Sequence, residues 1–211
     1  MKTASRANFT QKYERNARGI SHFWFIKQLI MKKNILVFGG MAGLILACFI
    51  FSLTAFGGHI HNLWVGYASM IIAFSFIYVG IRNFRDKYNQ GVVSFGKALR
   101  VGLGITLIGA TIYVITWLID FYCFVPDFMD KYSAEMIRQA QASGVSGAAL
   151  EQKIASIRQM AAWYKNPVFV MLMTYLEVLP VGIVISLIAA LILKRKTPSA
   201  AFRRTAEIQH A

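Results

Sequence analysis

Residues 34–81 read NILVFGGMAGLILACFIFSLTAFGGHIHNLWVGYASMIIAFSFIYVGI and contain no Asp, Glu, Lys or Arg across 48 positions. A soluble domain presents charged side chains far more often than this. A helix, by contrast, crosses the hydrocarbon core of a bilayer, about 30 Å thick, with about 20 apolar residues. The stretch therefore predicts two transmembrane helices, over residues 35–56 and 63–81, joined by a tight turn.

Two further apolar stretches extend this pattern, over residues 101–119 and 168–193. The last one is longer than a bilayer requires, so we expect it to tilt or to kink at Pro180. Lys32 and Lys33 precede the first stretch as basic residues precede a signal peptide, but that stretch is too long and lacks a small-x-small cleavage site. The predicted fold class is an all-α, polytopic membrane protein with four transmembrane helices.

The basic residues are distributed unevenly between the segments that connect the spans. The chain has 23 Lys and Arg against nine Asp and Glu, a net charge of +14. Eighteen of the basic residues lie in residues 1–34, 82–100 and 194–211, and only five lie in residues 120–167. The positive-inside rule then predicts that both termini and the middle loop are cytoplasmic.

Both tails are basic, and we expect them to contact anionic lipid head groups at the cytoplasmic face. Residues 1–34 are expected to be disordered and to end in an interfacial anchor at residues 23–26. Residues 194–211 form the second basic tail. No nucleic-acid partner is expected, because neither tail carries a compact binding motif or an interleaved aromatic pattern.

The outer loop, residues 120–167, is the one connecting segment long enough to fold. Apolar residues recur there at spacings of three and four in two runs, separated by Ser146 and Gly147. This pattern predicts a helical hairpin between the third and fourth spans. Two such short helices bury too little surface to be stable alone. We therefore expect the hairpin to rest on the span ends or on copies in an oligomer, and a separate protein partner is an alternative.

Small residues recur along one face of each span. In lipid, helices associate through close van der Waals packing, which small residues permit. The pattern predicts a compact four-helix bundle. The residues assigned to helix packing are Gly39, Gly43, Gly66, Ala73, Gly80, Gly102, Gly182 and Ser186.

Glu177 is the one acidic residue within a span, and an ionised carboxylate at that depth costs several kcal/mol. Pro180 has no amide hydrogen and leaves the carbonyl of Leu176 unpaired. One hypothesis is a proton or cation site; the other, preferred on sequence alone, is a structural hydrogen bond between spans. Polar residues at comparable depth, which belong to either arrangement, are Ser75, Thr106, Thr111 and Tyr113.

The direction of Glu177 also bears on oligomerisation. At 100° per residue it lies about 140° from Gly182 and about 180° from Ser186 around the helix. One bundle does not easily cover both faces, unless the kink at Pro180 realigns them. We therefore expect the fourth span to contact a neighbouring subunit in a homo-oligomer.

No other feature predicts chemistry. His59 and His61, with Asp120 and Asp127, provide too few certain ligands to predict a metal site. Cys48 and Cys123 do not indicate a disulfide, and no phosphate loop, nucleophile elbow or zinc-protease helix occurs. We assign no catalytic, metal or cofactor-binding residues, and we expect a protein that is not an enzyme.

Five segments together resemble the bacterial integral membrane family "domain of unknown function 4199" over residues 32 to about 196. They are GYASMIIAFSFIYVG (66–80), SFGKA (94–98), DFMDKY (127–132), YKNP (164–167) and TYLEVLPVGIVISL (174–187). The resemblance implies a four-span bacterial membrane protein in which Glu177, Pro180 and the SFGKA segment belong to the family pattern. With the predicted orientation, we expect the protein in the bacterial inner membrane. It implies no activity. We expect a structural or accessory membrane component; the alternative is a small transporter or channel subunit that uses Glu177 as a proton or cation site.

Overall fold

The computed structural model describes the backbone of residues 2–55 and 63–195 and the side chains of residues 26–55 and 64–195. The turn with His59 and His61 and the tail from residue 196 onward lie outside these ranges. The described residues form six α-helices and no β-strand: α1 Lys2–Ala55, α2 Leu63–Asn83, α3 Phe95–Ile119, α4 Phe128–Ala142, α5 Ala148–Trp163 and α6 Pro167–Leu193. Short π-helical segments, Phe84–Tyr88 and Asp120–Phe124, extend α2 and α3.

Four helical segments are long and apolar enough to cross a membrane: Ile26–Ala55, Trp64–Tyr88, Phe95–Phe124 and Pro167–Leu193. Each corresponds to one predicted span. The predicted all-α architecture with four membrane-spanning helices is therefore confirmed. In α6, Pro167 occupies the first turn, and the side chain of Asn166 accepts a hydrogen bond from the Val168 amide at 2.9 Å, which caps the helix.

The amino-terminal segment differs from the expectation. The first helix begins at Lys2 and runs for 54 residues, so a helix replaces the disordered tail expected for residues 1–34. This segment contains no proline and is rich in Lys, Arg, Gln and Ala, which favour helices. A helix that continues from an existing span also avoids the cost of nucleation.

The third helix lies at the centre of the bundle. It contacts α1, α2 and α6, and α2 contacts α1 and α6. Leu46, Phe74, Ile77, Ile105 and Val178, which come from all four spans, belong to one buried cluster. The cluster therefore joins the four spans into a single unit.

Small residues bring α1 and α2 close to α3. A Cβ atom at Gly39 would lie 2.8 Å from the Cβ of Ile108, and one at Gly43 would lie 2.6 Å from the Cβ of Ile112. Gly80 lies against Ile105 in the same way, and Ala73 is fully buried. A larger side chain at Gly39, Gly43 or Gly80 would therefore force the neighbouring helix or its side chains to shift.

The contact between α3 and α6 uses small residues from both helices. Gly102 lies against Ser186, and Gly182 lies against the methyl group of Thr106. The hydroxyl oxygens of Thr106 and Ser186 are 3.0 Å apart and share a buried hydrogen bond. Among the glycines assigned to helix packing, Gly66 is the exception, because nothing lies within 4 Å of its Cβ position.

One end of the bundle is held by polar contacts. The Asn34 amide donates to the carbonyl of Gly80 at 3.0 Å, and the Asn83 amide donates to Asn34 at 2.7 Å. The backbone of Val93 in the middle loop exchanges two hydrogen bonds with that of Arg195, at 2.8 and 3.1 Å. These contacts place the start of the first span, the middle loop and the end of α6 at the same end of the bundle, here called the basic end.

The α4 and α5 helices lie beyond the opposite end and contact each other. The short loop between them contains Gly144 and Gly147, whose φ angles are +77° and +63°. Residues with a side chain rarely adopt this conformation, so glycine suits both positions. The α4–α5 pair covers the ends of the spans away from the basic end.

Candidate functional site

Aromatic side chains attach the α4–α5 pair to the spans. Phe128 at the start of α4 contacts Trp117 of α3 edge to face, with ring centres 5.3 Å apart. Phe128 also contacts Phe121 at 5.8 Å and stacks on Tyr132 at 5.9 Å. Phe121 in turn contacts Tyr164 at 6.3 Å. Such pairs stabilise the contact beyond the area that they bury.

A cavity of about 500 Å³ lies beneath the α4–α5 pair. Its walls come from the end of α1, the start of α2, the end of α3, the amino-terminal part of α6 and both short helices. The volume is in the range of small-molecule sites in proteins. The cavity lies between the membrane-spanning helices and the α4–α5 pair, the segment that the sequence predicted as an outer loop.

The cavity is acidic. Among the described residues that line it, Asp120, Glu135 and Glu177 are carboxylates, and none is Lys, Arg or His. Glu135 is partly neutralised, because Arg138 donates to both of its oxygens at 2.9 and 3.0 Å. The other two carboxyl groups, those of Glu177 and Asp120, have no basic partner among the described residues.

Glu177 lies on α6 one turn before Pro180, with an exposed side chain that lines the cavity. Within the described residues, its carboxyl group has no hydrogen bond and no ion pair. A carboxyl group within a span is costly unless another group compensates its charge. Glu177 is therefore available to a ligand from the cavity.

Asp120 follows α3 and is 2% exposed. The Thr54 hydroxyl, at the end of α1, lies 2.8 and 3.0 Å from its two carboxylate oxygens. Among the described residues, this hydroxyl is the one hydrogen-bond donor to the buried carboxylate, which also lines the cavity. A buried charge with so few donors favours a positive partner.

The structure brings one of the predicted polar neighbours to the cavity of Glu177, namely Tyr113. Thr106 is bonded to Ser186, and Thr111 to the carbonyl of Leu107 and the hydroxyl of Tyr175. Ser75 donates to the carbonyl of Ile72 in its own helix. These three residues do not line the cavity.

Sequence reasoning did not assign Asp120, Glu135, Thr174 or Tyr164 to the site. Burial raises the pKa of the half-buried Tyr164 phenol, so this residue stays a neutral hydroxyl at the cavity wall. In the sequence, Asp120 lies directly after the third predicted span and offered only a weak signal of a metal ligand. The one available signal was its position directly after an apolar stretch, at the same end as the start of the fourth span.

The geometry also bears on the expected subunit contact through the fourth span. Gly182 and Ser186 face α3, whereas Glu177 faces a cavity covered by the α4–α5 pair of the same chain. Gly182 and Ser186 are therefore covered within one chain, whereas Glu177 lies at an open cavity. The contact of the fourth span with a neighbouring subunit stays a prediction.

The sequence offered only a weak signal of a metal site and no indication of a disulfide. The described residues contain no group of three His, Cys, Asp or Glu side chains able to hold a metal ion. Cys48 and Cys123 are free thiols. His59 and His61, the histidines weighed as metal ligands, are outside the described residues.

One of three comparisons with known proteins identifies the family of the chain. Neither the curated proteins nor the solved structures contain a match to the chain. The model of one family, described as "Protein of unknown function (DUF4199)", matches residues 37–195. This match covers well over half of the chain and all four spans except the start of the first. The resemblance seen in the sequence is thereby confirmed, and the protein belongs to the DUF4199 family.

Proposed function

We propose that the protein is a small transporter or channel subunit that binds a cation or a proton at Glu177. The observation that carries the proposal is the exposed carboxyl group of Glu177 in an acidic cavity, without a partner among the described residues. A cation or a proton would neutralise this group at a depth where an ionised side chain is costly. The proposal includes no enzymatic reaction.

The sequence favoured an accessory role, because polar groups on neighbouring spans were expected to satisfy Glu177. Thr106, Thr111 and Ser75 have other hydrogen-bond partners and lie outside the cavity. The main reason for preferring a structural hydrogen bond is thus weakened. Tyr113 is the remaining neighbour of that set in the same cavity.

The proposed location is the bacterial inner membrane, with both termini and the basic end in the cytoplasm. Support comes from the 18 basic residues outside residues 120–167, against five within them. The basic end also includes Arg82, Lys97 and Arg100, placed to contact anionic head groups. In this orientation the cavity lies in the outer half of the membrane.

Flux through liposomes tests the function. The full-length wild-type protein, Glu177→Gln and the matched control Glu151→Gln would be reconstituted, and the decay of imposed H⁺, Na⁺ and K⁺ gradients followed with internal fluorescent indicators. Glu151 is an exposed carboxylate of α5 that does not line the cavity.

The proposal predicts that Glu177→Gln lowers the flux of at least one of these ions at least about tenfold, while Glu151→Gln matches the wild type. Size-exclusion profiles would show that all three proteins remain assembled. Equal flux in the wild type and Glu177→Gln, or no flux above protein-free liposomes, would overturn the proposal. Equal flux in the wild type and Glu177→Gln would favour the accessory role instead.

A further inference from the structure

We infer that the cavity at Glu177 accepts an organic cation with an apolar body. This inference rests on the proposed function and names the chemical class of ligand for the same site. It follows from three features of the cavity: its apolar wall, the acidic residues that line it and its size.

The wall of the cavity is aromatic and rich in methionine. The rings of Tyr113 and Trp117 line it, together with Met136, Met160 and Met173. Aromatic faces attract organic cations through the negative charge of the ring face. Methionine side chains are flexible and adapt to apolar ligands of irregular shape. This wall suits a ligand that carries both a positive charge and hydrocarbon surface.

Among the described residues, the ionisable acid and base side chains that line the cavity are all acidic. Within the same residues, Glu177 is exposed to the cavity without a partner, and the side chain of Asp120 accepts from one hydroxyl donor, that of Thr54. No basic residue occurs among the described lining residues. An anionic ligand would meet repulsion there, and a neutral ligand would leave both carboxylates uncompensated.

A bare divalent metal ion fits the cavity poorly. Hard cations such as Ca²⁺ and Mg²⁺ require several oxygen ligands within about 2.0–2.6 Å. The described part of the chain offers no three carboxylate, His or Cys groups close enough together. A single ion would also leave most of the roughly 500 Å³ and its apolar wall unfilled. A larger cation contacts the carboxylates and the wall together.

Tetraphenylphosphonium and tetraphenylborate are suitable probes, because they have nearly the same shape and opposite charge. Their binding to the full-length protein in lipid nanodiscs would be measured by calorimetry, with empty nanodiscs subtracted. Quenching of the Trp117 fluorescence, with Trp117→Phe as the blank, would locate the bound ion. The variants are again Glu177→Gln and Glu151→Gln.

The inference predicts saturable binding of tetraphenylphosphonium, at least about tenfold weaker in Glu177→Gln and unchanged in Glu151→Gln. Tetraphenylborate should show no saturable binding. The inference would be overturned if tetraphenylphosphonium bound no better than to empty nanodiscs, if both ions bound equally, or if Glu177→Gln bound as tightly as the wild type.

The two proposals fail in different ways. If ion flux depends on Glu177 but tetraphenylphosphonium does not bind, the ligand class is wrong and the function stands. If tetraphenylphosphonium binds through Glu177 but no flux of H⁺, Na⁺ or K⁺ depends on that residue, the site binds an organic cation and the proposed flux of these small ions is wrong.

Discussion

The hydroxyl of Thr54 lies 2.8 and 3.0 Å from the two carboxylate oxygens of Asp120 and joins the end of α1 to the end of α3. The two residues are far apart in sequence, and both line the cavity. The carboxylate is almost completely buried. This contact therefore joins the ends of α1 and α3 at the wall of the cavity, and it gives the buried carboxylate a hydrogen-bond donor.

Replacing Thr54 with Val removes the donor and leaves a buried carboxylate unsatisfied. We expect Thr54→Val to lower the free energy of unfolding by about 1–3 kcal/mol. Thermal unfolding in detergent measures the change, and Thr54→Ser, which keeps the hydroxyl, is the control. Adding Asp120→Asn to Thr54→Val should recover part of the loss. A Thr54→Val protein as stable as the wild type would show that the contact contributes nothing.

The close approach of Gly182 to Thr106 makes a second prediction. A methyl group at Gly182 would meet the methyl group of Thr106, so Gly182→Ala should destabilise the protein by about 1–3 kcal/mol through overpacking. Thr106→Ser removes that methyl group and keeps the hydroxyl that faces Ser186, so the double variant should regain stability. Gly40→Ala is the matched control, because nothing lies within 4 Å of its Cβ position.

Thermal unfolding of the four proteins tests this relationship. Destabilisation equal in Gly40→Ala and Gly182→Ala would argue against the contact between α3 and α6. So would the absence of rescue by Thr106→Ser.

Asn34 makes a third prediction at the basic end. Its side chain bonds to the carbonyl of Gly80 and to Asn83, so Asn34→Ala should cost about 0.5–1.5 kcal/mol, the usual range for hydrogen bonds between membrane helices. Because Asn34 and Asn83 share one bond, Asn34→Ala and Asn83→Ala should be less than additive when combined. Strict additivity in unfolding measurements would rule out coupling between them.

Thiol labelling tests the proposed orientation. In a variant without Cys48 and Cys123, Ser146→Cys in the loop between α4 and α5 should react with a membrane-impermeant maleimide in intact cells. Ser94→Cys in the middle loop should react only after permeabilisation. Both serines are exposed. The reverse pattern of labelling would mean that the termini are outside the cytoplasm.

The spans could be predicted from the sequence because each is a local property. Residues 34–81 lack charges, and a membrane-spanning helix satisfies its own backbone, so the assignment requires no knowledge of its neighbours. Gly43 and Gly182 were also predictable as packing positions, since small residues mark close contacts in lipid.

The surroundings of Glu177 could not be predicted in the same way. Which side chains face it depends on how each helix is rotated and on where the α4–α5 pair folds back. Asp120, the first residue of the π-helical segment after α3, lines the same cavity. Thr111 and Ser75 lie at a suitable depth but make hydrogen bonds elsewhere. The depth of these residues in the membrane could be predicted from the sequence, whereas the directions of their side chains could not.

Chemical modification of Glu177 tests the central claim most directly. Dicyclohexylcarbodiimide reacts with carboxyl groups in apolar surroundings, and mass spectrometry would give the fraction of Glu177 modified in liposomes whose ion flux is measured in parallel. The account predicts that the flux falls in proportion to the modification of Glu177, while Glu151 stays unmodified. Full modification of Glu177 with unchanged flux would contradict the account.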